Sequence, residues 1–345
     1  MSIAYTSVSW NTNKKIYDGI LLGFVLTYLS IFICACLIIY PEITIETTLI
    51  RATSTLAFLL LHVILSIGPL ARLNKIFLPL LYNRRHLGVT MFLIALVHGT
   101  FSIFQFHALG NISPLVSVLS SNTHYTSFIK FPFQSLGLLA LIILSCMAAS
   151  SHDFWLNQLS PKIWKILHMG VYIAYGLLVM HVLLGVIQLE HSPAYFILLA
   201  FGVCWVSTLH VLAAWKENKR DSEKSTPSAD GFIQVCDVSE IPENRAKVVT
   251  GLKERIAIFK YQGKLSAVSN VCKHQNGPLG EGKIIDGCIT CPWHGYQYLP
   301  HNGKAPAPFK EKVATYNLRL TGTKIWLDPK PNEEGAEVMP LDLHL

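Results

Sequence analysis

Charge is scarce in this sequence. Only 14% of the 345 residues are Asp, Glu, Lys or Arg, whereas 51% are hydrophobic, and the mean hydropathy is +0.41. Charged residues are sparse up to about Trp215, and from Lys216 onward they are as frequent as in a soluble domain. The length permits two domains. The net charge of +7 does not indicate nucleic-acid binding, because the basic residues of the first part lie between apolar runs, where membrane topology needs them.

The cysteine spacing of a disulfide scaffold is lacking as well. Four of the eight cysteines lie inside apolar runs, where a free Cys behaves as a small hydrophobe: Cys34, Cys36, Cys146 and Cys204. Cys236 falls in a predicted strand. The other three lie close together near the end of the chain: Cys272, Cys288 and Cys291. This distribution argues against a secreted disulfide-rich protein.

Six apolar segments dominate the first two-thirds of the chain. At a rise of about 1.5 Å per residue, each is long enough to cross a hydrocarbon core of ~30 Å as a helix. The sequence therefore predicts a multi-pass α-helical membrane bundle with six transmembrane helices near residues 16–40, 48–71, 87–107, 132–150, 163–189 and 194–215.

The basic residues predict the orientation of these helices. One side of the membrane collects eleven of them: Lys14, Lys15, Arg72, Lys75, Arg84, Arg85, Lys162, Lys165, Lys216, Lys219 and Arg220. The other side has two, Arg51 and Lys130. Because short cytoplasmic loops carry an excess of Lys and Arg, both termini are expected in the cytoplasm, with the protein in the inner (cytoplasmic) membrane.

Histidines recur at two depths in the third and fifth segments. His86 and His98 are 12 positions apart, and His168 and His181 are 13 apart. Counted from the last basic residue before each, His98 and His181 lie 13 and 16 positions in, whereas His86 and His168 lie 1 and 3 positions in. A polar ring in hydrocarbon is costly unless something uses it. Imidazoles facing each other at matched depth can ligate a b-type haem from both axial sides.

Other interpretations of single histidines stay open. Any one of them could be a core histidine that hydrogen-bonds a neighbouring helix. His86, beside two arginines, could sit at the membrane interface. His62, in the second segment, competes with it as the partner of His168.

Short motifs in this region resemble the ferric reductase-like transmembrane domain. They are "GPLARL" at 68–73, "RRHLG" at 84–88, "ALVH" ending at His98, and the pair His168 and His181. That family includes the haem-binding subunit of bacterial periplasmic methionine sulfoxide reductase and, more distantly, NADPH oxidases. The resemblance spans about residues 16–215. It implies that His98, His168 and His181 bind haem, and it leaves His86 or His62 as the fourth ligand. We expect two b-type haems in all.

Composition divides the chain into a membrane domain, a linker, a β domain and a tail. Residues 1–215 form the expected membrane domain, and "KENKRDSEKSTPSAD" (216–230) indicates a flexible linker. Short β-rich runs separated by turn residues then predict a small all-β domain over 231–328, followed by a tail, 329–345. The predicted strands are 232–238, 246–250, 255–261, 264–270, 313–320 and 323–327.

Two short motifs in the β domain each combine one Cys with one His. They are Cys272-x-His274 and, after sixteen intervening residues, Cys291-x-x-His294. Two Cys and two His could close a zinc tetrahedron, but zinc fingers usually pair Cys with Cys and His with His. The mixed arrangement is that of a Rieske [2Fe–2S] centre, in which two thiolates hold one iron and two imidazoles hold the other.

The β domain accordingly resembles Rieske ferredoxins over about 231–328. The resemblance implies that Cys272 and Cys291 bind the first iron, and His274 and His294 the second. Respiratory Rieske proteins carry an additional cysteine after each motif. Here Trp293 and Gly277 or its neighbours take those positions, which is closer to the ferredoxins of aromatic-ring oxygenases. The lower part of the Rieske potential range, from ~−150 mV, is therefore expected.

Together these features predict an oxidoreductase component that transfers electrons across the membrane, from the Rieske cluster to the haems. The sequence lacks a G-x-G-x-x-G motif between a strand and a helix, so we expect a separate cytoplasmic NAD(P)H-dependent reductase as donor. A periplasmic protein or a quinone would accept the electrons, and membrane lipid rather than nucleic acid would surround the chain. The alternative is a membrane-tethered Rieske ferredoxin or redox sensor. A Rieske oxygenase is disfavoured, because only His301 and His344 follow the second motif, too few for a mononuclear iron site.

Overall fold

The computed structural model describes residues 12–81, 83–128, 130–151, 155, 159, 161–189, 193–222, 228, 230–250, 252–274, 276–293 and 295–343. These residues fall into two compact units. The first comprises 12–70 and 83–211, and the second comprises the described parts of 71–82 and 212–345. Each unit is considered by itself.

Among the described residues, six helices are long and apolar enough to cross a membrane, which confirms the predicted bundle. They are α1 (Thr12–Ile39), α2 (Ile45–Leu73), α3 (Arg84–His107), α4 (Phe133–Ser150), α5 (Pro161–Leu184) and α6 (Pro193–Ser222). Short helices lie at Lys75–Phe77, Leu78–Leu81, Pro114–Ser120 and Val186–Leu189. Large apolar side chains are exposed along the spans, as expected where lipid rather than water surrounds a protein. The most buried helix is α2, with Ala52, Leu56 and Leu61 fully enclosed.

The predicted linker begins as helix. Helix α6 continues to Ser222, seven residues beyond the predicted boundary at 215, because its polar end is rich in the helix formers Lys, Glu and Arg. The ammonium of Lys216 donates to the carbonyl of Leu73 at the end of α2, at 2.6 Å. That bond satisfies one of the carbonyls that a helix leaves open at its C-terminus.

The second unit contains the predicted all-β domain, and its strands pair antiparallel. They are β1 (Ile233–Asp237), β2 (Arg245–Val249), β3 (Ile256–Tyr261), β4 (Lys264–Ser269), β5 (Lys283–Ile285), β6 (Cys288–Thr290), β7 (Gln297–Tyr298), β8 (Thr315–Tyr316), β9 (Leu318–Thr321), β10 (Lys324–Leu327) and β11 (Leu341–Asp342). Short 3-10 helices lie at Val238–Glu240 and Leu279–Glu281. The described strands form sheets β1-β10-β9, β11-β4-β3-β2 with β8 beside β4, and β5-β6-β7.

The region assigned to the tail takes part in this domain. Strand β11 pairs with β4, with Leu341 opposite Leu265. Residues 341–342 therefore add an edge to the central sheet, and the β domain extends beyond 328. A two-residue strand carries no recognisable alternation, which is why the sequence pattern stopped at Leu327.

Candidate metal centres

The two Cys/His motifs are closed by the same pair of backbone hydrogen bonds. In the first, the Cys272 amide donates to the Gly277 carbonyl at 2.9 Å, and the Asn276 amide donates to the Cys272 carbonyl at 2.7 Å. In the second, the Cys291 amide donates to Tyr296 at 2.8 Å, and the Gly295 amide donates to Cys291 at 2.9 Å. Each motif is thus a tight loop in which the chain returns five residues after its cysteine.

A left-handed residue makes each return possible. The fourth residue after each cysteine has a positive φ, 58° at Asn276 and 72° at Gly295. Asn and Gly tolerate this conformation better than other residues. The second loop connects β6 to β7 in the small sheet that the sequence did not predict. The two loops are therefore equivalent in backbone construction although their Cys-to-His spacings differ by one.

The loops meet at Gly277. A Cβ atom there would lie 2.7 Å from Sγ of Cys291 and 3.2 Å from the ring of Trp293, so only glycine allows the approach. Cys272 and Cys291 are each 1% exposed. Two enclosed thiols on facing loops fit the thiolate half of a [2Fe–2S] site.

His274 follows Cys272 on the first loop and is described. Its ring stacks on Tyr296 with centroids 4.6 Å apart and planes 6° apart, which limits its rotation. The Tyr296 hydroxyl in turn donates to the carboxylate of Glu311. His294, the fourth predicted ligand, lies outside the described residues, and its role stays a prediction.

A tyrosine that the sequence did not single out contacts a ligand sulfur. The hydroxyl oxygen of Tyr298 is 3.4 Å from Sγ of Cys272 and accepts the Lys273 amide at 3.0 Å. Burial, followed by the charge of Cys272, raises the pKa of Tyr298. The phenol therefore stays protonated, and its proton is available to the sulfur. Hydrogen bonds to sulfur raise the potential of an iron–sulfur centre, so Tyr298 would raise the potential of a cluster held by Cys272.

Cys288 is the remaining cysteine of this region. It is fully buried at the start of β6, and burial raises its pKa to about 11. A thiol with that pKa is neutral near pH 7 and has little of the thiolate that binds iron. This agrees with a packing role for Cys288.

In the membrane unit, the structure brings His98 and His181 together. Their ring centroids are 6.4 Å apart, with the planes at 74°. Nδ1 of His98 donates to the Ile50 carbonyl on α2 at 3.2 Å, and Nδ1 of His181 donates to the Phe133 carbonyl on α4 at 2.8 Å. A proton held at Nδ1 leaves Nε2 of each ring as the basic nitrogen.

This geometry fits two axial ligands of one metal. Two metal–nitrogen bonds of ~2 Å, with roughly 1 Å from each nitrogen to its ring centre, would place the centroids ~6 Å apart. Ligating histidines almost always donate their other N–H to a carbonyl or carboxylate, as both rings do here. Gly137 of α4 lets that helix approach, because a Cβ there would lie 2.8 Å from the imidazole of His181. The residues present therefore fit a haem held by His98 and His181.

His168 has local contacts. Its ring stacks on Trp164, one turn earlier on α5, with centroids 3.7 Å apart. Nδ1 donates to the Trp164 carbonyl at 3.1 Å, and the Ser151 hydroxyl lies 3.4 Å from Nε2. The structure thus places His168 in the bundle without bringing it against another of the predicted histidines.

The two alternative partners of His168 differ in their contacts. Nδ1 of His86 bonds the carboxylate of Asp18 on α1 at 2.8 Å. Nδ1 of His62 donates to the Phe58 carbonyl at 2.8 Å, and the Tyr175 hydroxyl lies 3.1 Å from its Nε2. His86 donates to a carboxylate as ligating histidines often do. Both nitrogens of His62 have partners, as do both nitrogens of His168, so the carboxylate is what distinguishes His86. Sequence reasoning missed Asp18, although it is the only formal charge in the first apolar segment, a signal worth using.

Comparison with known families agrees with both resemblances. Residues 52–179 match the model described as "Ferric reductase like transmembrane component", and residues 231–317 match the "Rieske [2Fe-2S] domain". The suspected fusion of these two domains is therefore confirmed. A Rieske domain supports a [2Fe–2S] cluster, and the pair of domains supports a role in electron transfer.

Similar curated proteins match about a quarter of this chain each. The chain is 29% identical over 99 residues to the biphenyl dioxygenase ferredoxin subunit of Pseudomonas sp. (strain KKS102), covering 28% of this chain and 91% of that one. It is 33% identical over 100 residues to cholesterol 7-desaturase nvd 1 of Ciona intestinalis, covering 28% of this chain but only 20% of the relative. The solved ferredoxin of carbazole 1,9a-dioxygenase from Nocardioides aromaticivorans IC177 is 20% identical, covering 29% of this chain and 98% of that chain, with a TM-score of 0.27.

Proposed function

We propose that this chain, a ferric reductase-like transmembrane domain joined to a Rieske [2Fe–2S] domain, carries electrons across a membrane. The observation that supports this best is the His98–His181 pair. Two imidazoles from different helices face each other, and each bonds a further helix through Nδ1, so that Nε2 of each ring is the nitrogen that would hold a haem iron. A chain whose helices only tethered a Rieske domain would not require such a pair.

The chain's own residues would hold two kinds of one-electron carrier. Cys272, His274, Cys291 and His294 would bind the Rieske cluster. His98 and His181 would bind a b-type haem, and His168 with His86 would bind a second one. Bound in this way, a cluster and haems supply reversible one-electron chemistry without bond making in a substrate. The Nδ1 bonds of His98 and His181 fix the orientation of the two rings, as ligation requires.

The basic residues support a direction for the transfer. With both termini and the Rieske domain in the cytoplasm, a soluble NAD(P)H-dependent reductase would deliver electrons there. The helix ends near His98 and His181 would then face the opposite side, where a periplasmic protein or a quinone would take the electrons. We place the protein in the inner (cytoplasmic) membrane as a multi-pass component.

The proposal is tested first on the purified full-length chain. It predicts b-type haem absorption bands together with the rhombic electron-resonance signal of a reduced Rieske cluster. Reduction by a ferredoxin reductase and NADPH should change the haem bands in the wild type, and a Cys291→Ser chain should show no such change. Cluster absorption without haem would instead favour the tethered ferredoxin and contradict electron transfer across the membrane.

A further inference from the structure

The loop that follows α3 carries an apolar surface which the electron-transfer proposal does not use. It comprises residues 108–128, hereafter the outer segment, and contains the short helix Pro114–Ser120. We propose that the outer segment lies in the lipid interface, with its apolar side chains in the boundary between headgroups and acyl chains. The inference stands apart from the proposed function, because it would hold for a chain without haem.

The outer segment has no formal charge. No Asp, Glu, Lys or Arg occurs between Arg85 and Lys130, so the rest of α3 after its first two residues and the whole outer segment are uncharged. The other two loops on this side of the bundle differ, since they carry Glu42 and Glu190. A loop of this length in water would ordinarily contain charged residues, whereas a charged side chain is costly among lipid.

Large apolar side chains project from the outer segment. Leu109 is 87% exposed and Phe128 is 65% exposed, and four more are exposed by about half: Ile112, Leu115, Val116 and Leu119. Soluble monomers rarely expose so many neighbouring apolar groups. This surface continues that of α3, where Phe104 and Phe106 near the helix end are also exposed. Because α3 is long and apolar enough to span a membrane, its exposed surface extends the lipid-facing surface to the outer segment.

The side of the outer segment opposite its exposed apolar surface packs against the helix bundle. Val118 is buried, and the buried His107 has its Nδ1 2.9 Å from the hydroxyl of Ser117. The contact fixes the short helix beside the end of α3, with Leu115 and Leu119 on its exposed surface. The apolar side chains are therefore presented by a folded element.

Polar groups of the segment bond one another or the chain just beyond it. The Ser120 hydroxyl donates to the Val116 carbonyl at 2.7 Å, and the Asn122 amide donates to the Lys130 carbonyl at 3.0 Å. The His124 amide donates to the side-chain oxygen of Asn122 at 3.0 Å. Backbone groups near hydrocarbon must be satisfied internally, and these bonds meet part of that demand. The exposed Tyr125 adds an aromatic ring of the kind enriched at membrane interfaces.

Lipid fits this surface better than a protein partner does. Protein-binding sites have a polar rim and are enriched in Arg, and their charges set partner choice and orientation. The outer segment offers no charge from 108 to 129, and Lys130 follows it as the first basic residue. An uncharged element beside spanning helices, with its large apolar side chains and Tyr125 exposed, fits the membrane interface.

The test uses an environment-sensitive fluorescent amino acid placed at single positions of the full chain in vesicles. Positions 115 and 119 report on the outer segment. Position 104 on α3 serves as the lipid-exposed reference, and position 42 in the first outer loop serves as the water-exposed reference. Two quenchers are applied in separate experiments: lipids brominated near the glycerol end of the acyl chain, and iodide in the aqueous phase.

We expect blue-shifted emission at 115 and 119, loss of fluorescence in brominated lipid comparable to position 104, and little quenching by iodide. Iodide quenching equal to that at position 42, without bromine quenching, would overturn the proposal and leave a protein partner as the occupant. Shielding from both quenchers would also overturn it, because contact between copies of the chain would then cover the surface. Asn111→Glu provides a control, since this exposed polar position should accept a charge without changing the emission at 119, whereas Leu115→Glu should shift it to the red.

Discussion

The Rieske loops and the His98–His181 pair are built by opposite means. The Rieske ligands lie within 23 consecutive residues, 272–294, and backbone hydrogen bonds close both loops around their cysteines. His98 and His181 are 83 positions apart, and packing of helices brings them together. A local backbone defines the first centre, whereas the second depends on carbonyls of α2 and α4 and on a glycine that admits the imidazole. Substitutions away from the ligands should therefore affect the membrane centre more than the Rieske centre.

The largest expected effect is on the Rieske centre when a ligand is lost. Cys291→Ser should abolish the Rieske electron-resonance signal, because the iron loses a thiolate inside a closed loop. Cys288→Ala is the matched control, since Cys288 is also buried in this region but is a neutral thiol, and it should keep the signal. Loss of the signal in both variants would show that the comparison reports folding rather than ligation.

The membrane centre should respond to ligand loss by losing part of the haem. His181→Ala should remove about half of the bound haem if each of two levels holds one, since a single remaining axial imidazole binds haem weakly. Haem content, measured by the pyridine haemochrome spectrum, checks this. His124→Ala alters an exposed histidine of the outer segment and should leave the content unchanged. A wild-type content of one haem per chain would contradict the two levels, and the pair His98–His181 would then be the expected site.

The third prediction compares His86 and His62, the two candidate partners of His168 at the second haem. We expect His86→Ala to remove the haem associated with His168, because the Asp18 carboxylate orients His86 and leaves its second nitrogen available. His62→Ala should keep the haem content of the wild type, because Tyr175 occupies its Nε2 side. Potentiometric titration of both variants resolves which haem is lost. The opposite pattern would make His62 the ligand.

Changes in the packing around His98 and His181 should affect the haem less than loss of a ligand does, but by a measurable amount. Gly137→Ala would place a methyl group 2.8 Å from the His181 ring, so the ring or α4 must shift. We expect a changed haem midpoint potential and a broadened electron-resonance line with haem still bound. Gly176→Ala is the control. Gly176 lies on the same helix as His181, and a Cβ atom added to it would meet nothing within 4 Å. Equal spectra for Gly137→Ala and the wild type would show that the approach of α4 does not position the imidazole.

The smallest expected effect is on the cluster potential. Tyr298→Phe removes the hydroxyl beside Sγ of Cys272 and should lower the midpoint potential by roughly 40 mV, the one-electron equivalent of about 1 kcal/mol. Tyr316→Phe removes another buried tyrosine hydroxyl, one bonded to Glu254, and should leave the potential unchanged. Protein-film voltammetry measures both. An unchanged potential in Tyr298→Phe would mean that the hydroxyl does not reach the sulfur.

The two centres also differ in how far the sequence could predict them. The spacing of Cys272, His274, Cys291 and His294 is a contiguous signal, so the ligand set and the small β domain could be predicted directly. The six spans were predictable because hydropathy over some twenty residues is a property of the local chain. The partners Ile50 and Phe133 were not, since their carbonyls reach the histidines only through helix packing. Tyr298 was missed because its two-residue strand is too short for any pattern.

The central claim, electron transfer from one face of the membrane to the other, is tested most directly in sealed vesicles. Dithionite is enclosed inside and ferricyanide is added outside, and the loss of ferricyanide absorbance is followed for the wild type, His181→Ala and protein-free vesicles. The account predicts that the wild type consumes ferricyanide rapidly and that His181→Ala falls to the rate of protein-free vesicles. Wild-type vesicles no faster than protein-free ones, or His181→Ala vesicles as fast as the wild type, would contradict it.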